Sequence, residues 1–287
     1  MIALALSILS STLIFVVFKL YDVYKVQTLY AIVMNYIVAC ATGFFLYNGS
    51  VEFGQLFNTS WFWGPILMGM LFITIFNLMA KTAQVAGVSV ASVATKMSLV
   101  IPVIFGIWLY NESLSWIQVV GILLALVAVY LASLKEKHIV INQKDLVLPF
   151  LVFLGSGIID TSIKYFEELH LTDSEVPIFS SMVFGCAALS GLIFIGIRSK
   201  KTPIKANYRN VLGGIALGVP NYFSIYFLII ALRSDILSSA AIFTLNNVAI
   251  VMASTLTGIL LFKERLTLKN WGGVALAVLS IVLVALF

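Results

Sequence analysis

The chain has 287 residues, 61% of them hydrophobic and 10% charged, with a mean hydropathy of +1.09 and a net charge of +5. An average soluble domain is about 25% charged, so this composition excludes a soluble enzyme. It points to a polytopic membrane protein whose basic residues set orientation rather than bind nucleic acid.

A spanning helix needs roughly 20 apolar residues. Ten stretches qualify in chain order: Met1–Phe18, Thr28–Leu46, Trp61–Ala80, Val88–Tyr110 and Trp116–Leu134, then Leu146–Tyr165, Pro177–Ile197, Val211–Leu232, Ile236–Phe262 and Trp271–Phe287. They are too long for membrane strands and do not alternate. The expected fold class is therefore all-α integral membrane, with ten transmembrane helices. The first stretch lacks the basic start and cleavage site of a signal peptide and is read as a span. Trp61, Trp63, Trp116 and Trp271 stand at helix starts, where interfacial Trp is expected.

Alternate turns gather the cations. Those after the odd-numbered stretches hold Lys19, Lys25, Lys81, Lys135, Lys137, Lys144, Arg198, Lys200, Lys201, Lys205, Arg209, Lys263, Arg265 and Lys269, while the others hold only Arg233. Cytoplasmic turns collect Lys and Arg, so both termini are expected outside, and the acidic turn with Glu167, Glu168, Asp173 and Glu175 as well.

Gly106–Ser133 returns 152 residues later as Gly258–Ala285, with nine identities in 28 ungapped positions. Gly106, Ile107, Leu109, Glu112, Leu114 and Gly121 recur as Gly258, Ile259, Leu261, Glu264, Leu266 and Gly273. A fixed-spacing recurrence marks a duplicated unit. The first copy's turn, Asn111–Gln118, has no cation, whereas the second, Lys263–Asn270, has Lys263, Arg265 and Lys269. The two copies are thus expected on opposite faces of the bilayer, as in an inverted repeat. The halves are residues 1–134 and 146–287, joined by a cytoplasmic linker, 135–145. Glu112 and Glu264 are expected to fix the turn at the N-terminus of the helix that follows each, where a carboxylate is favoured.

With Tyr110-Asn111-Glu112-Ser113-Leu114 plus Gly121, and Phe262-Lys263-Glu264-Arg265-Leu266 plus Gly273, the chain resembles the drug/metabolite transporter superfamily, and within it the ten-helix EamA-type transporters. It departs from the family in having Asn111 and Lys263 where Gly often precedes the Glu, and in lacking a mid-helix Pro in the ninth helix. The resemblance implies a secondary carrier for small metabolites, often an exporter, in a bacterial cytoplasmic (inner) membrane. It also implies a central cavity lined by the first, third, fourth, sixth, eighth and ninth helices.

Polar residues inside apolar runs are the candidate site, because they are costly there and tend to face a cavity or each other. Ser89, Ser92 and Lys96 share one face of the fourth helix. Lys96 either binds an anionic group of a solute, or it snorkels or pairs with a structural carboxylate. Asp160 and Lys164, four residues apart on the sixth helix, either neutralise each other or serve a coupling proton and the solute. Thr74, Asn77 and Lys81 form a stripe on the third helix. Asn35 lies in the second, Asn221, Tyr222 and Tyr226 follow Pro220 in the eighth, and Asn246 and Asn247 are adjacent in the ninth. Each Asn either touches solute or links helices. Pro220 is expected to break helical hydrogen bonding. Small residues Gly64, Gly69, Gly213, Gly214 and Gly218 suit close helix approach.

The leading functional reading is secondary transport of a small organic metabolite, such as an amino acid or organic anion, coupled to protons or a counter-solute or to neither. A first helix without carboxylate speaks against proton exchange for cationic drugs there. A lipid or amphiphile flippase-like protein is the alternative, favoured by an apolar lateral groove. An intramembrane enzyme is less favoured, although Ser92 with Lys96 leaves a Ser/Lys arrangement open; no His lies in a span and Asp160 is the one clear intramembrane carboxylate. Cys40 and Cys186 lie in apolar runs. No metal or cofactor is expected, and no ATP motif is present.

Overall fold

The computed structural model describes residues 2–46, 59–102, 104–105, 115–133, 143–170, 175–199, 207–232 and 239–286. The described residues include ten helices: α1 Ile2–Val23, α2 Thr28–Leu46, α3 Trp63–Val85, α4 Val88–Met97, α5 Trp116–Ser133, α6 Gln143–Leu169, α7 Val176–Ser199, α8 Tyr208–Leu232, α9 Ser239–Phe262 and α10 Leu268–Leu286; helical turns resume after α4 at residues 100–102 and 104–105. Seven are long and apolar enough to cross a membrane, and α4, α5 and α10 carry shorter apolar stretches. The chain is an all-α, multi-pass membrane protein.

In lipid the backbone polar groups must be satisfied within each helix, and helices associate through van der Waals fit rather than hydrophobic driving force. Glycine supplies that fit here. A Cβ at Gly69 of α3 would stand 2.6 Å from the backbone nitrogen of Ala187 in α7, and one at Gly218 of α8 would stand 2.8 Å from the Asn35 carbonyl oxygen in α2. One core runs through α1, α2, α3, α6, α7 and α8, where Tyr36 stacks on Phe184 with ring centres 6.1 Å apart and donates its hydroxyl to the Phe72 carbonyl at 2.8 Å. A second joins Val93 and Met97 of α4 to Ala125 of α5, Phe153 of α6, Val251 of α9 and Ala277 of α10.

Several packed pairs have a packed counterpart when five is added to or subtracted from each helix number, although others, such as α1–α3, have none among the closely packed pairs of the described residues. The pair α2–α8 maps onto α7–α3, α1–α8 onto α6–α3, α1–α9 onto α6–α4, and α9–α10 onto α4–α5, and every one of these pairs is packed. The pairs that map onto themselves run antiparallel. Ser280 of α10 donates to the Gly121 carbonyl of α5 at 2.7 Å, and Asn270, earlier on α10, donates to Leu131, later on α5, at 3.1 Å. Likewise Gly43 of α2 faces Ser181 of α7, while Val33 faces Gly191.

Three expectations are corrected. The apolar run Val88–Tyr110 is not one helix: α4 stops at Met97 and a turn follows at Ser98–Leu99. Pro102 has no amide hydrogen for the Ser98 carbonyl, and its ring crowds that carbonyl. The bond from Ile101 N to Ser98 O, 2.9 Å, is the tighter three-residue kind instead. Pro220, by contrast, leaves α8 continuous from Tyr208 to Leu232. Trp61 is not interfacial but 1% exposed, edge-on to Phe179, with its indole N–H on Glu175 Oε1 at 3.0 Å. Trp63 and Trp116 are exposed as expected.

Replacing Gly69 by Ala drives a methyl into backbone that cannot swing aside. An apparent stability loss of about 1–3 kcal/mol is expected, read as a lowered Tm in detergent. Gly272→Ala, where a Cβ meets nothing within 4 Å, should leave Tm unchanged or slightly raised.

Candidate functional site

The exposed row of α6 is Val147, Phe150, Leu151, Leu154 and Ile158, an apolar lipid-facing stripe. Asp160 lies on the opposite side, one turn after buried Ser156 and two after buried Phe153. Yet Asp160 is exposed. Its carboxylate thus lies on the side of α6 away from the lipid-facing stripe, toward Ser98 of the neighbouring segment.

The break in α4 faces it. Ser98 Oγ lies 3.1 Å from Asp160 Oδ2 and also reaches the Thr95 carbonyl. Lys96, half-buried in the last turn of α4, is close enough for its charge and that of Asp160 to act on each other. A cation there also suits the negative end of the helix dipole. Among the described residues the Lys96 ammonium makes no hydrogen bond or direct ion pair. The two opposite charges therefore act on each other without a direct ion pair, with Ser98 bonded to Asp160. Ile101, past the break, packs on Gly157 of α6 and holds the two segments together.

Other polar groups point inward nearby in the bundle. Asn247 of α9 is 7% exposed, lies opposite its helix's lipid-facing residues Leu245, Met252 and Leu256, and its side chain has no hydrogen bond among the described residues. The hydroxyls of Ser156 and Thr255 are buried without partners. Native interiors leave few such groups unpaired. Lys96, Leu99 and Ser280 also edge a narrow crevice between α4 and α10 with no room for a water-sized sphere.

The remaining sequence candidates separate from this site. Ser92 is fully buried and donates to the Ser89 carbonyl at 2.9 Å, so it serves the helix. Asn77 flanks the outward row of α3, which includes Trp63, Leu67, Met70, Thr74 and Lys81, and bonds its own turn at Ile73. Tyr226 is 39% exposed on the outward row of α8 and stacks on Tyr222, which is buried against Gly43. Asn221 donates to Asn35 Oδ1 at 3.1 Å, and Ser7 of α1 reaches both the Ser224 carbonyl at 2.8 Å and Asn246 Oδ1 at 3.3 Å. Asn35, Asn221, Ser224, Ser7 and Asn246 thus form a polar string stitching α2, α8, α1 and α9. The Lys164 side chain lies outside the described residues. Sequence reasoning missed Ser98, Ser156 and Thr255. Only Ser98 had a signal, its position four residues before Pro102.

Glu264 also departs from expectation. It does not cap α10, which is capped by Thr267 accepting from Asn270 N at 3.1 Å. Its carboxylate instead accepts from Val88 N at 2.7 Å and from the Ser89 hydroxyl at 3.2 Å, at the start of α4. Glu112 lies outside the described residues.

Asn35→Leu strands a buried amide of Asn221. It should lower apparent stability by about 1–3 kcal/mol, and the Asn35→Leu/Asn221→Leu double variant should regain part of that loss. Thermal unfolding of the four proteins of this cycle measures the coupling.

No protein-family model matches the chain. It is 28% identical to an uncharacterised protein of Haemophilus influenzae, over 97% of this chain and 95% of that one. A protein solved by crystallography superposes with a TM-score of 0.60 over 98% of this chain and 96% of its own, at 17% identity. That likeness shows a shared fold.

Proposed function

We propose that this protein is a secondary transporter of a small organic metabolite, an amino acid or organic anion, working by alternating access. The observation that carries the reading is the meeting of Asp160 on the inward side of α6 with Ser98 and Lys96 at a helix break. Ionisable groups inside membrane helices default to function. Transporter sites are typically built where a helix is interrupted, because freed helix ends offer polar groups at membrane depth. Lys96 would hold the anionic group of the solute, and Asp160 would face its cationic end or carry a coupling proton.

The exchange of packing partners under a shift of five helices, with the self-mapped pairs antiparallel, supports reading the ten helices as spans in two inverted five-helix halves. That architecture supports membership of the EamA-type transporters. The end of the bundle carrying Lys25, Lys81, Lys263, Arg265 and Lys269 would be cytoplasmic, leaving both termini outside. The bacterial relative fits an inner-membrane location.

A ligand that binds only the folded protein raises its apparent stability with concentration. Amino acids or organic anions are expected to raise the Tm of the wild type. Lys96→Ala should abolish that rise, and Asp160→Asn should abolish it for zwitterions while sparing simple anions. If only cations or lipids stabilise the protein, and Lys96→Ala responds as the wild type does, the proposed solute class is wrong.

A further inference from the structure

Glu264 joins elements that the transport reading assigns to opposite halves. It sits in the turn between α9 and α10, and its carboxylate closes over the first amides of α4, Val88 N at 2.7 Å and Ser89 N at 3.5 Å, and over the Ser89 hydroxyl at 3.2 Å. These amides are unsatisfied within α4, and the helix dipole favours a negative charge there.

The backbone is shaped for this contact on both sides. Gly87 has φ +112°, and a Cβ on it would stand 3.0 Å from the Glu264 carboxyl group. Gly258 also clears the way, since a Cβ there would lie 2.5 Å from Glu264 Oε2, and its carbonyl accepts from Glu264 N at 3.1 Å. Lys263 takes a left-handed φ of +53° to present the following residue. Such a conformation is disfavoured for a side chain larger than Gly and persists where surrounding contacts hold it.

Other polar ties close the same end. Lys19 donates to the Gln84 carbonyl at 2.9 Å, the Gln84 amide reaches Thr28 at 3.0 Å, and Asn210 pairs with Gln27 at 2.9 Å. The Gln84 ties stay within α1 to α3. The Asn210 tie joins α8 to a helix it already meets closely through Gly213, Gly214 and Gly218. Glu264 differs in being a single half-buried side chain that can return its charge to water on release.

We propose that the Glu264–Ser89 contact is the latch of a gate at the basic end of the bundle, which must release before the Lys96–Asp160 site can open that way. The proposal rests on the alternating-access reading. Helix α4 is the moving bar, with the latch at Ser89 and the site at Lys96, seven residues or about 10 Å along the same rigid helix.

Ser92 supplies a reporter. It is fully buried, one turn inside the latch. In a chain with Cys40 and Cys186 replaced by Ala, Ser92→Cys is labelled with a membrane-impermeant thiol reagent in sealed vesicles of each orientation. With Glu264 intact, labelling from the basic end should be slow. Glu264→Gln, which keeps the shape but weakens the charge-assisted bonds, and Glu264→Ala should each raise that rate about tenfold, equivalent to about 1.4 kcal/mol of closed-state preference. Labelling of a distant buried reporter, Ala187→Cys, should not change. An unchanged Ser92→Cys rate overturns the latch, as does an equal rise at both reporters, which would mean general loosening. The assay needs no solute. A response to Glu264 in a protein stabilised by no metabolite keeps the gate and removes the transport reading. An unchanged rate in a protein with Lys96-dependent stabilisation does the reverse.

Discussion

Helix α4 has only ten residues, and both of its ends fall among other helices. A helix end leaves backbone donors or acceptors unpaired, and in an apolar layer each must find a partner or remain costly. At the start of α4 the partner is a carboxylate from a distant turn, Glu264. At its end, the turn at Ser98–Leu99 replaces the regular ladder, and the Ser98 hydroxyl answers the Thr95 carbonyl and meets Asp160. Polarity at membrane depth is therefore a consequence of where this helix is cut. The site gathers at the cut because a cation and hydroxyls are favoured at a helix C-terminus, and α6 passes there with Gly157 clearing space for Ile101.

The same constraint separates polar residues that build from those that remain available. Asn35, Asn221 and Asn246 spend their hydrogen bonds on other helices or their own. Asn247, one residue from Asn246, turns about 100° away and spends none among the described residues. Lys96 and Asp160 act on each other without a direct ion pair. A site for a solute must hold its own groups apart until the solute arrives, since a closed ion pair would compete with binding.

Much of this was legible in the chain. Length and apolarity marked an all-α membrane protein, since a run of about 20 apolar residues has few other uses, and seven of the helices are long and apolar enough to cross. Lys96 and Asp160 stood out because a charge in such a run demands a reason. What stayed hidden was partnership. The sequence places Asn77, Asn221 and Asn247 in equally apolar surroundings, and only packing shows that the first flanks lipid, the second bonds Asn35, and the third faces inward unpaired. The break in α4 was obscured because Val88–Tyr110 is long and predominantly apolar, and the effect of Pro102 is felt four residues upstream. Trp61 was misplaced because a Trp near a helix start serves a membrane interface or a buried hydrogen bond to Glu175 equally well.

The recurring Gly and Glu, six residues apart in both copies, take on physical content from the one copy the structure describes. Gly258 supplies the space that the Glu264 carboxylate needs, and its carbonyl receives the Glu264 amide, so neither residue alone would serve. In that copy the six-residue spacing is set by a turn that folds the carboxylate back over the preceding helix. The partner lies 176 residues from Glu264 along the chain, so a local reading assigns the carboxylate to the nearest helix N-terminus, that of α10. That terminus already has Thr267 and Asn270, which leaves Glu264 free to bind a helix that the sequence keeps far from it.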